Sequence, residues 1–124
     1  MKMTEQTLNL IVDKELNNDS WIIDFSGNLD SFSLKEKRKE ILGLVESFDR
    51  KYLVFDFMKL NFINSESIGL LMQISETLKL KGKQLVVVEA KKNVIDVLDV
   101  IGVFETMKHF KLKSDFLRSL ENVN

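Results

Sequence analysis

The chain has no cysteine, no proline and a single histidine among its 124 residues. Without cysteine there is no disulfide, no thiol nucleophile and no thiolate-bound metal, and the composition fits a reducing compartment. Without proline, element boundaries have to be read from periodicity, glycine and capping side chains. No apolar run approaches the ~20 residues of a membrane helix. The opening MKMTEQTLNLIVDKELNND is too polar for a signal peptide. Acidic residues number 19 against 18 basic ones, so no charge excess marks the whole molecule as a nucleic-acid binder. The expectation is a soluble cytoplasmic protein with neither a membrane nor a nucleic-acid partner.

What is present is one domain's worth of ordinary globular sequence, residues 1–124. A chain this size buries roughly two thirds of its unfolded surface and needs no metal or disulfide to fold. Thr7–Val12 and Trp21–Gly27 read as strands joined through the turn residues Asn17–Ser20, which makes a leading hairpin. Ser33–Phe48 has helical spacing at Leu34, Arg38, Ile41, Leu42, Val45 and Phe48, and Ser33 with Glu36 forms a capping-box pattern. Tyr52–Met58 is a nearly continuous apolar run of strand length, as expected for a strand covered on both faces, or on one face and an edge. A helix follows from Ser65 to Lys81, with Ile68, Leu71, Met72, Ser75 and Leu78 inward and Gly82 as its stop. Gln84–Ala90 is a strand. Asn93–Gly102 is a short helix with Asn93 as cap. Thr106–Lys111 is a weak strand, and Ser114 caps a last helix with Asp115 in its first turn. The order is β-β-α-β-α-β-α-β-α. Alternation of strands and helices predicts the α/β class, a mixed sheet of about five strands packed against about four helices, with parallel central strands.

No catalytic constellation emerges. His109 has no Ser or Asp companions at a shared site. Asp24 and Asp56 fall inside predicted strands and are too few for a receiver-type acidic pocket. No glycine-rich phosphate loop is present, and Lys79, Lys81, Lys83, Lys91 and Lys92 read as a solvated face. The expectation is a protein that is not an enzyme and needs no metal or cofactor. The segment that does call for an explanation is Asn64-Ser65-Glu66-Ser67, two hydroxyls and an acid where an apolar strand gives way to a helix. Asn is among the best N-cap residues, and Glu66 complements the helix dipole.

Three segments carry a family resemblance. FSGNLDS supplies Gly27, Leu29 and Asp30 at the end of the second strand. VFDFMKLNFINSESIGLLM supplies a strand, a connection and a helix start. GKQLVVVEAKKNVIDVLDVIGV supplies the strand and short helix after it. In order and spacing the chain resembles a STAS domain, the fold of bacterial anti-sigma-factor antagonists, over about residues 7–120.

That resemblance implies a binding module that, unphosphorylated, captures an anti-sigma factor, often a serine kinase, and so frees a sigma factor for transcription. It implies phosphorylation at Ser65, with Ser67 as an outside second candidate, and a serine phosphatase that reverses it. The implied contact surface comprises Asp30, the loop Asn61–Asn64, Ser65, Glu66, Ser67 and Gln73, extended by Glu76. The knot departs from the family pattern: Asn64 stands where Asp is usual, Glu66 where a second Ser or Thr is usual, and Ser67 where Gly is usual. Those departures keep open an alternative, an unphosphorylated STAS scaffold or oligomerisation module in a signalling or transport assembly. A homodimer is also left open.

Overall fold

Alternating side chains along the central strands divide into two apolar sets, and the architecture follows from covering both. The computed structural model describes residues 8–121. A five-stranded sheet has the order β1 (Asn9–Asn17), β2 (Ser20–Leu29), β3 (Tyr52–Ile63), β4 (Gln84–Val88) and β5 (Lys108–Phe110). The first pair is antiparallel and the other three are parallel, so the sheet is mixed, as the element order predicts. The helices are α1 (Ser31–Ser47), α2 (Ser65–Leu80), α3 (Lys92–Ile101) and α4 (Lys113–Glu121). Thr7, the expected first residue of β1, lies outside the described residues.

One face of the sheet presents Ile23, Phe25, Leu53, Phe55, Phe57 and Val87 to a large core shared with α1, α2 and α3. Phe25 meets Phe55 and Phe57 with ring centroids 4.7 and 5.2 Å apart, in tilted and edge-on geometries that aromatic quadrupoles favour. The other face presents Ile22, Val54, Val86 and Val88 to a smaller core closed by Phe116 of α4. Burial on both sides is why β3 and β4 read as continuous apolar runs rather than alternating ones.

Several boundaries differ from the sequence expectation. β3 does not stop at Met58 but runs on to Ile63, so Asn61–Ile63 is strand and not loop. Its pairing with β2 steps from Asp24↔Asp56 to Ser26↔Lys59, and from Gly27↔Leu60 to Asn28↔Phe62. Each step inserts an extra residue on β3, and these bulges break the alternation that marks a strand in sequence. β4 ends at Val88 instead of Ala90, because Glu89 turns the chain at φ 61°. Met72, expected inward on α2, is 39% exposed, while Leu70 and Ile74 are buried.

The caps differ for a common reason, competition by a better-placed group. α1 starts two residues early because Asp30 is its cap. The Asp30 carboxylate accepts from Ser33 N at 2.9 Å, and Ser33 Oγ accepts from Asp30 N at 3.0 Å, a closed capping box. Asn93 does not cap α3, since its side chain donates to the Asn61 carbonyl at 2.9 Å. Ser114 lies within α4, whose first N–H is accepted by Glu89 Oε2 at 2.8 Å. The glycine stops hold. Gly82 N–H reaches the Lys79 carbonyl and Lys83 N–H the Leu78 carbonyl, a Schellman closure of α2.

Candidate functional site

β2 and β3 are parallel neighbours that end side by side at Leu29 and Ile63. Each is followed at once by a helix, so the N-termini of α1 and α2 emerge together at the carboxyl edge of the sheet. This is the edge where α/β folds place ligands and partners, and each helix start adds unpaired N–H groups and a positive pole.

The Leu29 carbonyl is the hinge pin of the site. It accepts from Asn64 N at 3.0 Å and from Ser67 Oγ at 2.9 Å. Asn64 caps α2, its Oδ1 accepting from Ser67 N at 2.9 Å. Ser67 is therefore committed twice, by its N–H to the cap and by its hydroxyl to the preceding strand, and it is only 1% exposed. Ser65, two residues earlier, occupies the first helical position and faces solvent. The two hydroxyls of the knot thus have opposite accessibility.

Glu66 is exposed, and its carboxylate is engaged across the helix pair. Ser31 Oγ donates to Glu66 Oε1 at 2.7 Å and accepts from Asn64 Nδ2 at 3.3 Å. That bond turns the acid toward the start of α1. Asp30, half-buried, spends one carboxylate oxygen on its own helix. Asn61 lies on the last turn of strand before the knot, where Lys91 Nζ donates to its side chain and Asn93 to its carbonyl. Gln73 and Glu76 are exposed on α2, and Gln73 accepts from Arg38 Nη2 of α1 at 3.5 Å. The structure accordingly gathers Asp30, Asn64, Ser65, Glu66 and Ser67 at one junction. Asn61 stands beside them on the α3 side, and Gln73 lies two helical turns further along α2. Phe32 and Phe62, 52% and 47% exposed, lie next to this junction in the chain and add apolar surface to its polar groups.

Ser31 was not singled out by sequence reasoning. The only signal for it was its position directly after Gly27-Asn28-Leu29-Asp30. A second feature also needed the fold. Asp24 and Asp56 are cross-strand partners immediately before the first β3 bulge. With Phe25, Met58, Lys59 and Lys113 they line a cavity of about 170 Å³. Asp56 is 6% exposed, accepts from Met58 N at 3.0 Å and lies 3.7 Å from Lys113 Nζ. Burial pushes its carboxyl above the ordinary value, and the Asp24 charge adds to the rise, against the Met58 N–H and the Lys113 ammonium. Two lysines balance the two acids there. Among the described residues no three His, Cys, Asp or Glu side chains gather as a metal site, and no helix is long and apolar enough to cross a membrane.

Comparison with known proteins agrees with this fold. A family model described as STAS domain matches residues 11–116. The chain is 23% identical over 117 residues to an anti-sigma F factor antagonist of Paenibacillus polymyxa, covering 94% of this chain and all of that one. An anti-sigma factor antagonist from Mycobacterium paratuberculosis superposes with a TM-score of 0.80 at 18% identity, over 96% of this chain and 98% of the other. The phosphorylated form of SpoIIAA, a Bacillus cell fate determinant, superposes with a TM-score of 0.65 at 15% identity, over 90% and 99%.

Proposed function

This chain belongs to the STAS domain family, and from that premise we propose that it is an anti-sigma-factor antagonist, a switched binding module and not an enzyme. With Ser65 unmodified it captures an anti-sigma factor, a serine kinase, and so releases a sigma factor for transcription in the cytoplasm. Phosphorylation of Ser65 ends the capture, and a serine phosphatase restores it. The docking surface is Asp30, Asn61, Asn64, Ser65, Glu66 and Gln73, with Ser67 bracing it from beneath.

The observation that carries this reading is the contrast at the knot: Ser65 is solvent-exposed at the first position of α2, whereas Ser67 is buried and bonded to Leu29. A phosphate on Ser65 adds about −1.5 to −2 charges. The free N–H groups and positive pole of α2 accommodate it, so the fold tolerates the change. A partner pressed onto the same surface does not. Burying an unpaired dianion costs several kcal/mol, a large part of the about 8 kcal/mol that holds a micromolar complex. The Ser31 bond to Glu66 also supports the reading, because it draws the neighbouring acid toward α1.

A second reading has one observation in its favour. Glu66 sets a permanent negative charge one residue from Ser65, which suits a STAS scaffold that is not switched. One experiment separates the two. Tagged protein is used to capture partners from native lysate with and without ATP, and the tryptic peptide Leu60–Lys79 is followed by mass spectrometry. An ATP-binding kinase that leaves as Ser65 gains phosphate, and stays on Ser65→Ala, is the antagonist outcome. A partner that stays while the peptide remains unmodified is the scaffold outcome and overturns the proposal.

A further inference from the structure

The sheet face opposite the large core is only partly covered. Phe116 of α4 closes over Ile22, Val54, Val86 and Val88. Past the start of α4, toward the carboxyl edge, β1, β2 and β3 stay open. On β1, Leu10 and Val12 pack on the large core, so Ile11 between them points the other way, opposite Asp24 of β2. On β2, Ile23, Phe25 and Leu29 face the large core, which turns Asp24, Ser26 and Asn28 to the open side. On β3, Phe57, Leu60 and Ile63 face the core, and the two bulges leave Met58, Lys59 and Phe62 on the open side, with Lys59 paired to Ser26 and Phe62 to Asn28.

Two features set this open side apart from an ordinary solvated face. A half-covered sheet alternates apolar residues inward with polar ones outward, yet here Ile11 is 63% exposed, Met58 51% and Phe62 47%. The charges are also incompletely matched. Asp56 is met by Lys113. Asp24 and Lys59 line the same cavity of about 170 Å³, but among the described residues neither has an ion-pair partner. One acid and one lysine are left over amid apolar side chains. A partner of single charge sign satisfies one of them and repels the other. A second copy satisfies both. With a two-fold axis in the plane of contact, set across the line from Asp24 to Lys59, each acid faces the other copy's lysine and each lysine the other copy's acid.

We propose that the open side of β1, β2 and β3 is a self-association surface whose occupant is a second copy of this chain, packed face to face in a two-fold dimer. Ile11, Met58 and Phe62 are buried against the other copy, and Asp24 pairs with Lys59 twice across the contact. The cavity beside Asp24 gives the incoming ammonium room to reach it. Three strands make a smaller face than a permanent interface uses, so the dimer is weak and forms with rising concentration. Its charged residues are not those of the Ser65 junction, and the inference stands apart from the antagonist reading.

The test is sedimentation equilibrium of the full chain across the micromolar range. The parent is expected to dimerise reversibly. Asp24→Lys alone and Lys59→Asp alone are expected to stay monomeric, because like charges then meet at both pairs. An equimolar mixture of the two is expected to dimerise again, since every pair across the contact is once more of opposite sign. Each variant is checked for a parental melting curve. Should a reversal not fold, Asp24→Asn and Lys59→Gln replace it, each expected to raise the dissociation constant about tenfold by removing two pairs per dimer. A parent that is monomeric throughout leaves the face to another partner or to solvent and overturns the proposal. So does a dimer that survives the charge variants, or a mixture of folded reversals that remains monomeric.

Discussion

At the scale of single residues, the knot divides labour between side chains that look alike in sequence. Asn64 and Ser67 are structural. One caps α2 and the other ties it to the Leu29 carbonyl. Asn64→Ala is expected to cost about 1 kcal/mol in urea unfolding, while Asn64→Asp, which keeps the cap and adds a charge the dipole favours, is expected to be no less stable. Acidic replacements should separate the two serines. Ser65→Asp, exposed at the helix start, should leave the melting temperature almost unchanged. Ser67→Asp forces a charge into a site that is 1% exposed and should lower it by several degrees. Equal effects in thermal scans would mean that Ser67 is not buried in solution. Asn64 as cap was legible from residue type alone. The burial of Ser67 was not, because the carbonyl that holds it belongs to a strand 38 residues earlier.

At the scale of elements, α2 and α3 end on glycines that a sequence displays, whereas α4 begins on a group that it conceals. Gly102 closes α3 at φ 79°, a conformation that costs any residue with a Cβ about 1 kcal/mol. Gly102→Ala should destabilise by that amount, read from urea unfolding. The start of α4 is harder because a distant group supplies it. The first N–H of α4 is capped by Glu89, a residue in the left-handed region at φ 61° just beyond β4. Strain of that kind persists where surrounding contacts hold it. Glu89→Ala removes the contact and keeps the strain. Amide exchange in α4 should then speed up while exchange in the central strand β3 stays slow. Unchanged protection of α4 would show that Phe116 packing alone holds the helix.

For the molecule as a whole, two titrating groups give stability opposite responses to acid. Burial favours the neutral form of His109, which is stacked on Phe104 with centroids 4.6 Å apart. A folded-state value below 6.5 means its contribution is present above pH 6.5 and is lost as pH falls through that lowered value. Asp56 works the other way. Its folded value is raised above 3.8, so its contribution is complete below pH 3.8 and is lost as pH rises through the folded value. Near neutral pH the ionised, 6% exposed carboxylate is a cost to the fold. Asp56→Asn should therefore melt higher than the parent at neutral pH, with the gain shrinking toward pH 3.8. A variant that melts lower at neutral pH would show that the pairing with Lys113 outweighs burial.

Sequence by itself determined the α/β class, the element order and the mixed sheet, because periodicity, apolar runs and glycine stops are local and survive being read one residue at a time; the family was legible through the resemblance of three motif segments. It also located the Asn64–Ser67 knot and named Asn64 as its cap. Tertiary structure alone decided what the knot's other side chains do. Leu29 and Ile63 end on neighbouring strands, which brings Ser31 to Glu66 and Ser67 to Leu29 across more than thirty positions of chain. The same holds for Asp56 with Lys113 and for Glu89 with α4. The physical reason is that a hydrogen bond or an ion pair depends on distance in space, and the crossovers of a parallel sheet make distance along the chain a poor guide to it.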